Sequence, residues 1–161
     1  MPTPRPLNLP EEIVEQFEQC GRATEYLVSV LPATVWREPS PAGRGRTIAA
    51  IVAHMHGLRK MIAKMGGASV GPTLDRKRVT QAEAQRALRA INDTLTTMFR
   101  ESLSRGDARV KGMPRRTANI MAYLVQHDAH HRGQIMMRAR DLGHAFTTND
   151  TMRIWGWKQL P

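Results

Sequence analysis

Cysteine is nearly absent from this chain of 161 residues, because Cys20 is the only one. A single thiol excludes an intramolecular disulfide framework and is typical of a reducing compartment, so we expect a cytoplasmic protein. The N-terminal segment lacks the apolar stretch that a signal peptide carries, and no run of about 18 apolar residues occurs. Neither a signal peptide nor a membrane span is therefore expected.

Aromatic and acidic side chains are also scarce. The chain has three Phe, two Tyr and three Trp, so its core must be built mainly from aliphatic side chains and its ten Met. Lys and Arg total 24 against 14 Asp and Glu, which gives a net charge of +10. A nucleic-acid partner is one interpretation of that charge. The basic residues are scattered rather than gathered in a block or interleaved with aromatic residues, which favours a solvated basic surface instead.

Apolar residues recur at helical spacing in four segments, and the pattern contains no convincing strand. The predicted helices cover residues 10–32, 47–66, 80–106 and 117–142. Thr80 followed by Glu83 is a capping box, Thr47 suits an N-cap, and Gly143 suits the position after a helix end. Four amphipathic helices predict an all-α four-helix bundle in a single domain spanning 1–161. We expect the tail, 144–161, to pack back on the bundle, because it would otherwise expose Trp155 and Trp157.

The last predicted helix contains three of the six histidines in a stretch of five residues, at 127, 130 and 131. His127 and His131 are four residues apart and therefore share one face, in line with the apolar stripe. Neutral imidazole is a common ligand for divalent transition metals, and a helical pair at this spacing can hold one ion. The Glu that follows the first His in zinc proteases is replaced by Asp128, so that reaction is not indicated.

A third histidine occupies an apolar face of the second predicted helix. His54 follows Ile51 by three residues and precedes Leu58 by four, whereas His56 aligns with more polar neighbours. We therefore expect His54 to point inward and His56 outward. Three neutral imidazoles and a water would leave an open coordination position, as in reactive rather than structural zinc sites. From periodicity alone, ordinary buried histidines with hydrogen-bond partners remain an equal alternative.

For four further positions the sequence supports only weaker expectations. Gln134 is expected to hydrogen-bond a ligand histidine or to cap a loop. Asp128 is expected to be a solvated carboxylate, and Asn92 is a candidate for the pocket. Gly133 lies within a predicted helix, where glycine costs about 1 kcal/mol relative to alanine, so close packing of another helix is the expected reason.

Two segments carry a resemblance to the DinB/YfiT-like superfamily of metalloenzymes. Residues 47–54 (TIAAIVAH) resemble its helix-2 signature, and residues 127–135 (HDAHHRGQI) resemble its helix-4 signature. Residues 31–36 (LPATVW) resemble the usual exit from helix 1, and the resemblance extends over a core of 9–143. It implies an up-down-down-up four-helix bundle, often a homodimer. It also implies a divalent ion (zinc, nickel or iron) held by His54, His127 and His131.

The same resemblance suggests a chemistry. Some relatives transfer or isomerise groups with low-molecular-weight thiols such as mycothiol, bacillithiol or glutathione. A divalent ion with an open position can bind a thiol as thiolate and make it nucleophilic at neutral pH. The resemblance therefore implies a metal-dependent thiol S-transferase, or a related isomerase or hydrolase, acting on a small electrophilic substrate. The alternative is a metal-binding stress-response protein without enzymatic activity.

Overall fold

The computed structural model describes residues 6–106 and 108–160, and within these ranges it is helical with no strand. Its helices are α1 Leu9–Ser29, α2 Ala33–Trp36, α3 Ile48–Met65, α4 Gln81–Ser104, α5 Thr117–Asp141 and α6 Thr148–Ile154. The all-α prediction is confirmed. No helix in the described ranges combines the length and the apolar character needed to cross a lipid bilayer.

The starts of α3 and α4 and the end of α5 are found where local sequence signals placed them, whereas α1 ends at Ser29, before the predicted stop at Pro32. Thr47 Oγ1 accepts a hydrogen bond from the Ala50 backbone N–H at 3.2 Å. Thr80 and Glu83 form a reciprocal capping box at the start of α4. Gly143 has a φ of 84°, in the left-handed region that favours glycine after a helix. One element was missed: the chain turns through the short helix α2 directly after Pro32, rather than continuing as a loop.

The buried apolar side chains form two clusters, and α1, α3, α4 and α5 contribute to both; α2 and α6 contribute to the first alone. The first joins the C-terminal part of α1 and α5 to the N-terminal part of α3 and α4, through residues such as Leu27, Val52, Leu88 and Ile135. The second joins the opposite ends of the same helices, through residues such as Phe17, Ile62, Phe99 and Leu124. The helices α1, α3, α4 and α5 thus surround two apolar clusters, one toward each end of the helices.

Side-chain hydrogen bonds join the start of α4 and the residues just before it to the first third of the chain. Trp36 Nε1 donates to the Val79 carbonyl at 2.9 Å. Gln81 Nε2 donates to the carbonyls of Val28 and Leu31, at 2.6 and 2.8 Å. These bonds satisfy carbonyls at the end of α1 and fix the start of α4 beside it.

A fully buried ion pair crosses the interior between α3 and α5. The Arg59 guanidinium donates to both carboxylate oxygens of Asp128, at 2.7 and 2.6 Å, and the two side chains are 1% and 0% exposed. Arg59 Nε also donates to Asn92 Oδ1 at 2.7 Å, and Thr24 Oγ1 donates to Asp128 Oδ2 at 3.0 Å. Burial opposes ionisation of the carboxyl, but the charges of Arg59 and Arg132 and the polar contacts with His127 and Arg59 together outweigh it and hold the pKa of Asp128 below its usual range. The prediction of a solvated Asp128 is therefore wrong.

The tail packs on the helices through α6. Ile154 is buried, and Tyr26 Oη on α1 donates to Asp150 Oδ1 at 2.6 Å. Trp155 and Trp157, in contrast, are 68% and 74% exposed. The expectation that the tail buries both tryptophans is wrong. The contacts of α6 with the other helices are made by residues such as Asp150 and Ile154, and both tryptophans follow α6 in the chain.

Replacing Asp128 with alanine should strongly destabilise the fold. The Asp128→Ala variant leaves the Arg59 charge buried without a counterion, which costs about 3–5 kcal/mol. The free energy of unfolding from urea denaturation measures this loss. The control is Asp93→Ala, which removes an exposed carboxylate from α4.

The double variant Arg59→Met/Asp128→Leu separates an uncompensated charge from a simple packing defect. It removes both charges and should recover most of the lost stability, because apolar residues of similar volume often replace a buried pair without cost. A single variant as stable as Asp93→Ala would contradict the assigned role of the ion pair.

Candidate metal centre

Three histidines from two helices converge at the groove between α3 and α5. His54 Nε2 lies 3.2 Å from His127 Nε2, which lies 3.1 Å from His131 Nε2. One nitrogen from each ring falls within 4.8 Å of the others. His131 is 6% exposed, and the other two are partly exposed toward the groove. The three residues singled out in the sequence are therefore brought together, and they could hold a metal ion.

The spacing of these nitrogens suits a single small cation. Metal–nitrogen bonds of 2.0–2.1 Å at tetrahedral angles place two ligand nitrogens about 3.3 Å apart. Both short contacts in the cluster are close to that distance. Both also use the same atom, His127 Nε2, which in a neutral ring either carries one proton or offers one lone pair. A shared cation satisfies three converging lone pairs, which hydrogen bonds among the rings cannot.

The protonation of the rings favours metal binding. Burial lowers the pKa of His54, and the charges of His131 and Arg46 act in the same direction. Burial also lowers the pKa of His131 and outweighs the opposite effect of its bond to Gln134. Both imidazoles are therefore neutral at pH 7, as metal ligands must be.

Gln134 fixes the tautomer of one ring. Its Oε1 lies 2.7 Å from His131 Nδ1, and an amide oxygen can only accept, so the proton resides on Nδ1. The lone pair of His131 is then on Nε2, which faces the other two histidines. The amide nitrogen of Gln134 lies 2.9 Å from His130 Nε2, so His130 contacts the site through Gln134. Of its two predicted roles, Gln134 has the hydrogen bond to a clustered histidine.

Other sequence expectations at this site are corrected. Asn92 binds Arg59 and donates to Glu25 Oε1 at 2.8 Å, away from the histidines. A side chain at Gly133 would meet open space, so helix packing does not explain that glycine. His56 is 5% exposed rather than outward, and it faces the α3–α4 side of the molecule.

Sequence reasoning missed the importance of Arg59, although a signal for it existed. Val52, Met55 and Ile62 are buried, and Arg59 lies between them at spacings of three and four residues. A charged residue within an apolar stripe predicts a buried counterion elsewhere in the fold. Asp128 on α5 is that counterion, and His127 precedes it directly.

A groove of about 500 Å³ opens beside the cluster. His130 and His131 line it together with the guanidinium groups of Arg46 and Arg138. Arg138 Nη2 also donates to the Arg44 carbonyl at 3.4 Å, which ties the segment before α3 to α5 at the mouth of the groove. Two arginines and one carboxylate, Asp141, thus line the groove, which leaves its charge positive beside the cluster.

Comparison with known proteins gives one match. The family model described as DinB family matches residues 1–158, nearly the whole chain. No curated protein and no solved structure matches the chain. The extent of the family match is sufficient for assignment: this chain belongs to the DinB family.

Proposed function

We propose that the chain binds one divalent metal ion through the Nε2 atoms of His54, His127 and His131. The observation that carries this proposal is the convergence of three ring nitrogens, two of whose separations match ligand spacing. When bound, an ion with an open position would act as a Lewis acid and lower the pKa of a bound water or thiol. Imidazole nitrogen suits zinc, nickel and iron alike, so the donor set is compatible with each.

The proposed reaction is the transfer of a low-molecular-weight thiol to a small electrophilic substrate, or a related isomerisation or hydrolysis. The chain offers no reactive thiol of its own. Cys20 is 5% exposed, and burial raises the pKa of its thiol despite the nearby Arg132 guanidinium. Because a thiolate is the nucleophilic form, the sulfur must come from a co-substrate. Arg46 and Arg138 at the groove would orient an anionic group of that co-substrate.

The proposed scaffold is a four-helix bundle of up-down-down-up topology. The second core cluster supports this topology. It contains residues from the starts of α1 and α5 together with residues from the C-terminal parts of α3 and α4. The helices α1 and α5 would then run in one direction and α3 and α4 in the other. The homodimer that the family resemblance implies stays a prediction.

Alanine at His54 or at His131 should abolish metal binding. Wild-type protein purified without a histidine tag should contain about one ion per chain, because the cluster supplies three ligands to one position. Each variant should contain nearly none by elemental analysis. His144→Ala, which lies outside the cluster, is the control. Unchanged metal content in both cluster variants would end the three-histidine proposal.

Removing the Gln134 side chain should weaken metal binding without abolishing it. The Gln134→Ala variant frees His131 Nδ1 from its acceptor, and loss of such a partner typically costs about 10–100-fold in metal affinity. Gln134→Glu retains an acceptor oxygen and should preserve the affinity. Competition titration with a zinc chelator measures both variants. Equal affinity for wild type and Gln134→Ala would show that the tautomer is fixed by something else.

Thiol-dependent turnover distinguishes an enzyme from a metal-binding protein without activity. Metal-loaded wild type should accelerate conjugation of a low-molecular-weight thiol to 1-chloro-2,4-dinitrobenzene, and His131→Ala should not. Cys20→Ser should retain wild-type turnover, because the Cys20 thiol is buried and takes no part in the reaction. Bound metal without turnover across a panel of thiols and electrophiles would favour the stress-response alternative, and loss of turnover in folded Cys20→Ser would contradict an external sulfur source.

A further inference from the structure

A second cavity, of about 730 Å³, lies between α3, α4 and the segment that connects them. Its size is in the range of about 300–1,000 Å³ that small-molecule sites occupy. None of the three clustered histidines lines it. His56, which does, is two residues beyond His54 and therefore points about 200° away around α3. The cavity is thus separate from the proposed metal centre.

His56 gives this cavity an unsatisfied polar group. The side chain is 5% exposed, and its Nδ1 is buried without a hydrogen-bond partner in the described part of the chain. A buried polar group without a partner is costly and uncommon in folded proteins. The ring is part of the cavity wall, but its Nδ1 has almost no accessible surface. A ligand that brings a hydrogen-bonding atom to the imidazole would therefore offset the cost only after the ring rotates to present this nitrogen to the cavity.

The rest of the lining combines apolar walls with a charged mouth. The apolar part consists of Val70, Leu74, Val79, Ala87 and Ile91. Such a surface suits the hydrocarbon body of a ligand, provided that a few polar groups fix its orientation.

The charged groups of the lining differ in how far they are already engaged. Glu83 Oε2 accepts from the Thr80 backbone N–H and hydroxyl, both at 2.8 Å. Asp75 Oδ1 accepts from the Lys77 N–H at 2.8 Å. The carboxylates therefore serve the local backbone, and the pKa of Glu83 is lowered by these bonds and, to a smaller extent, by the nearby Arg86 charge. Arg78 and Arg86 are exposed at the mouth, where their guanidinium groups can bind a carboxylate.

We propose that this cavity binds a small carboxylic acid with an apolar body and a second hydrogen-bonding group. The carboxylate binds Arg78 and Arg86, the body packs on the apolar wall, and the second group bonds His56. This is a non-covalent site on the opposite side of α3 from the histidine cluster, and it does not depend on metal binding.

Three naphthalene probes test the two polar contacts independently. The full probe is 6-hydroxy-2-naphthoate; 2-naphthoate lacks the hydroxyl, and 6-hydroxy-2-naphthamide lacks the charge. Fluorescence titration of wild type should give the tightest binding for 6-hydroxy-2-naphthoate, with each of the other probes about tenfold weaker, the loss expected for one polar contact.

Variants assign each contact to its residue. Arg78→Gln/Arg86→Gln should remove the preference for the acid over the amide and keep the preference for the hydroxyl. His56→Phe should do the reverse. The matched control is Arg140→Gln/Arg115→Gln, which removes the same charge from exposed positions outside the cavity and should leave all three affinities unchanged.

Several results would overturn the proposal. The first is no binding by wild type at about 1 mM probe, the concentration at which a specific site of even weak affinity is occupied. The second is a preference that persists in its matched variant or changes equally in the arginine control. Loss of binding in the folded His54→Ala variant would place the probes at the histidine cluster instead. The arginine variants are at exposed positions, so they remain informative even if His56→Phe fails to fold.

Discussion

The ion pair between Arg59 and Asp128 is the constraint on which the arrangement of the interior depends. It joins α3 to α5, the two helices that supply the histidine cluster. Its cost in desolvation is large, and the two charges are tolerated because Asn92 and Thr24 complete their hydrogen bonding. A bidentate pair has one good geometry, so it fixes both the rotation and the axial register of α5 against α3.

The consecutive positions 127 and 128 show how one helix serves two purposes. Neighbouring residues of a helix point about 100° apart, so Asp128 reaches the core while His127 points to His54 and His131. Asp128 is committed to Arg59 and neutralises it, which leaves the histidine cluster with uncharged donors only. Arg46 and Arg138 add positive charge beside that cluster. With Asp141 the only carboxylate among the described residues that line the groove, the balance of charge there is positive and favours an anionic ligand.

The parts of the fold that the sequence predicted depend on local interactions. The caps at Thr47 and Thr80 involve atoms three residues apart, and the spacing of His127 and His131 follows from helix geometry alone. The parts that it did not predict depend on contacts between distant segments. Asp128 resembles a surface residue until its partner on α3 is known, and His56 is buried by the segment after α3 rather than by its own helical face. Trp155 and Trp157 show the opposite error: their apolar character predicts burial, but the fold provides no surface that covers them.

The position of the His127 proton connects the cluster to the interior. With the His131 proton held on Nδ1 by Gln134, the 3.1 Å contact between the two Nε2 atoms is a hydrogen bond only if His127 carries its proton on Nε2. A cation bound at that nitrogen would require the ring proton to be on Nδ1, which is buried without a hydrogen-bond partner among the described residues and lies 3.8 Å from Asp128 Oδ1. The tautomer of His127 that would suit the proposed ion is thus the one whose N–H points toward the carboxylate of the central ion pair.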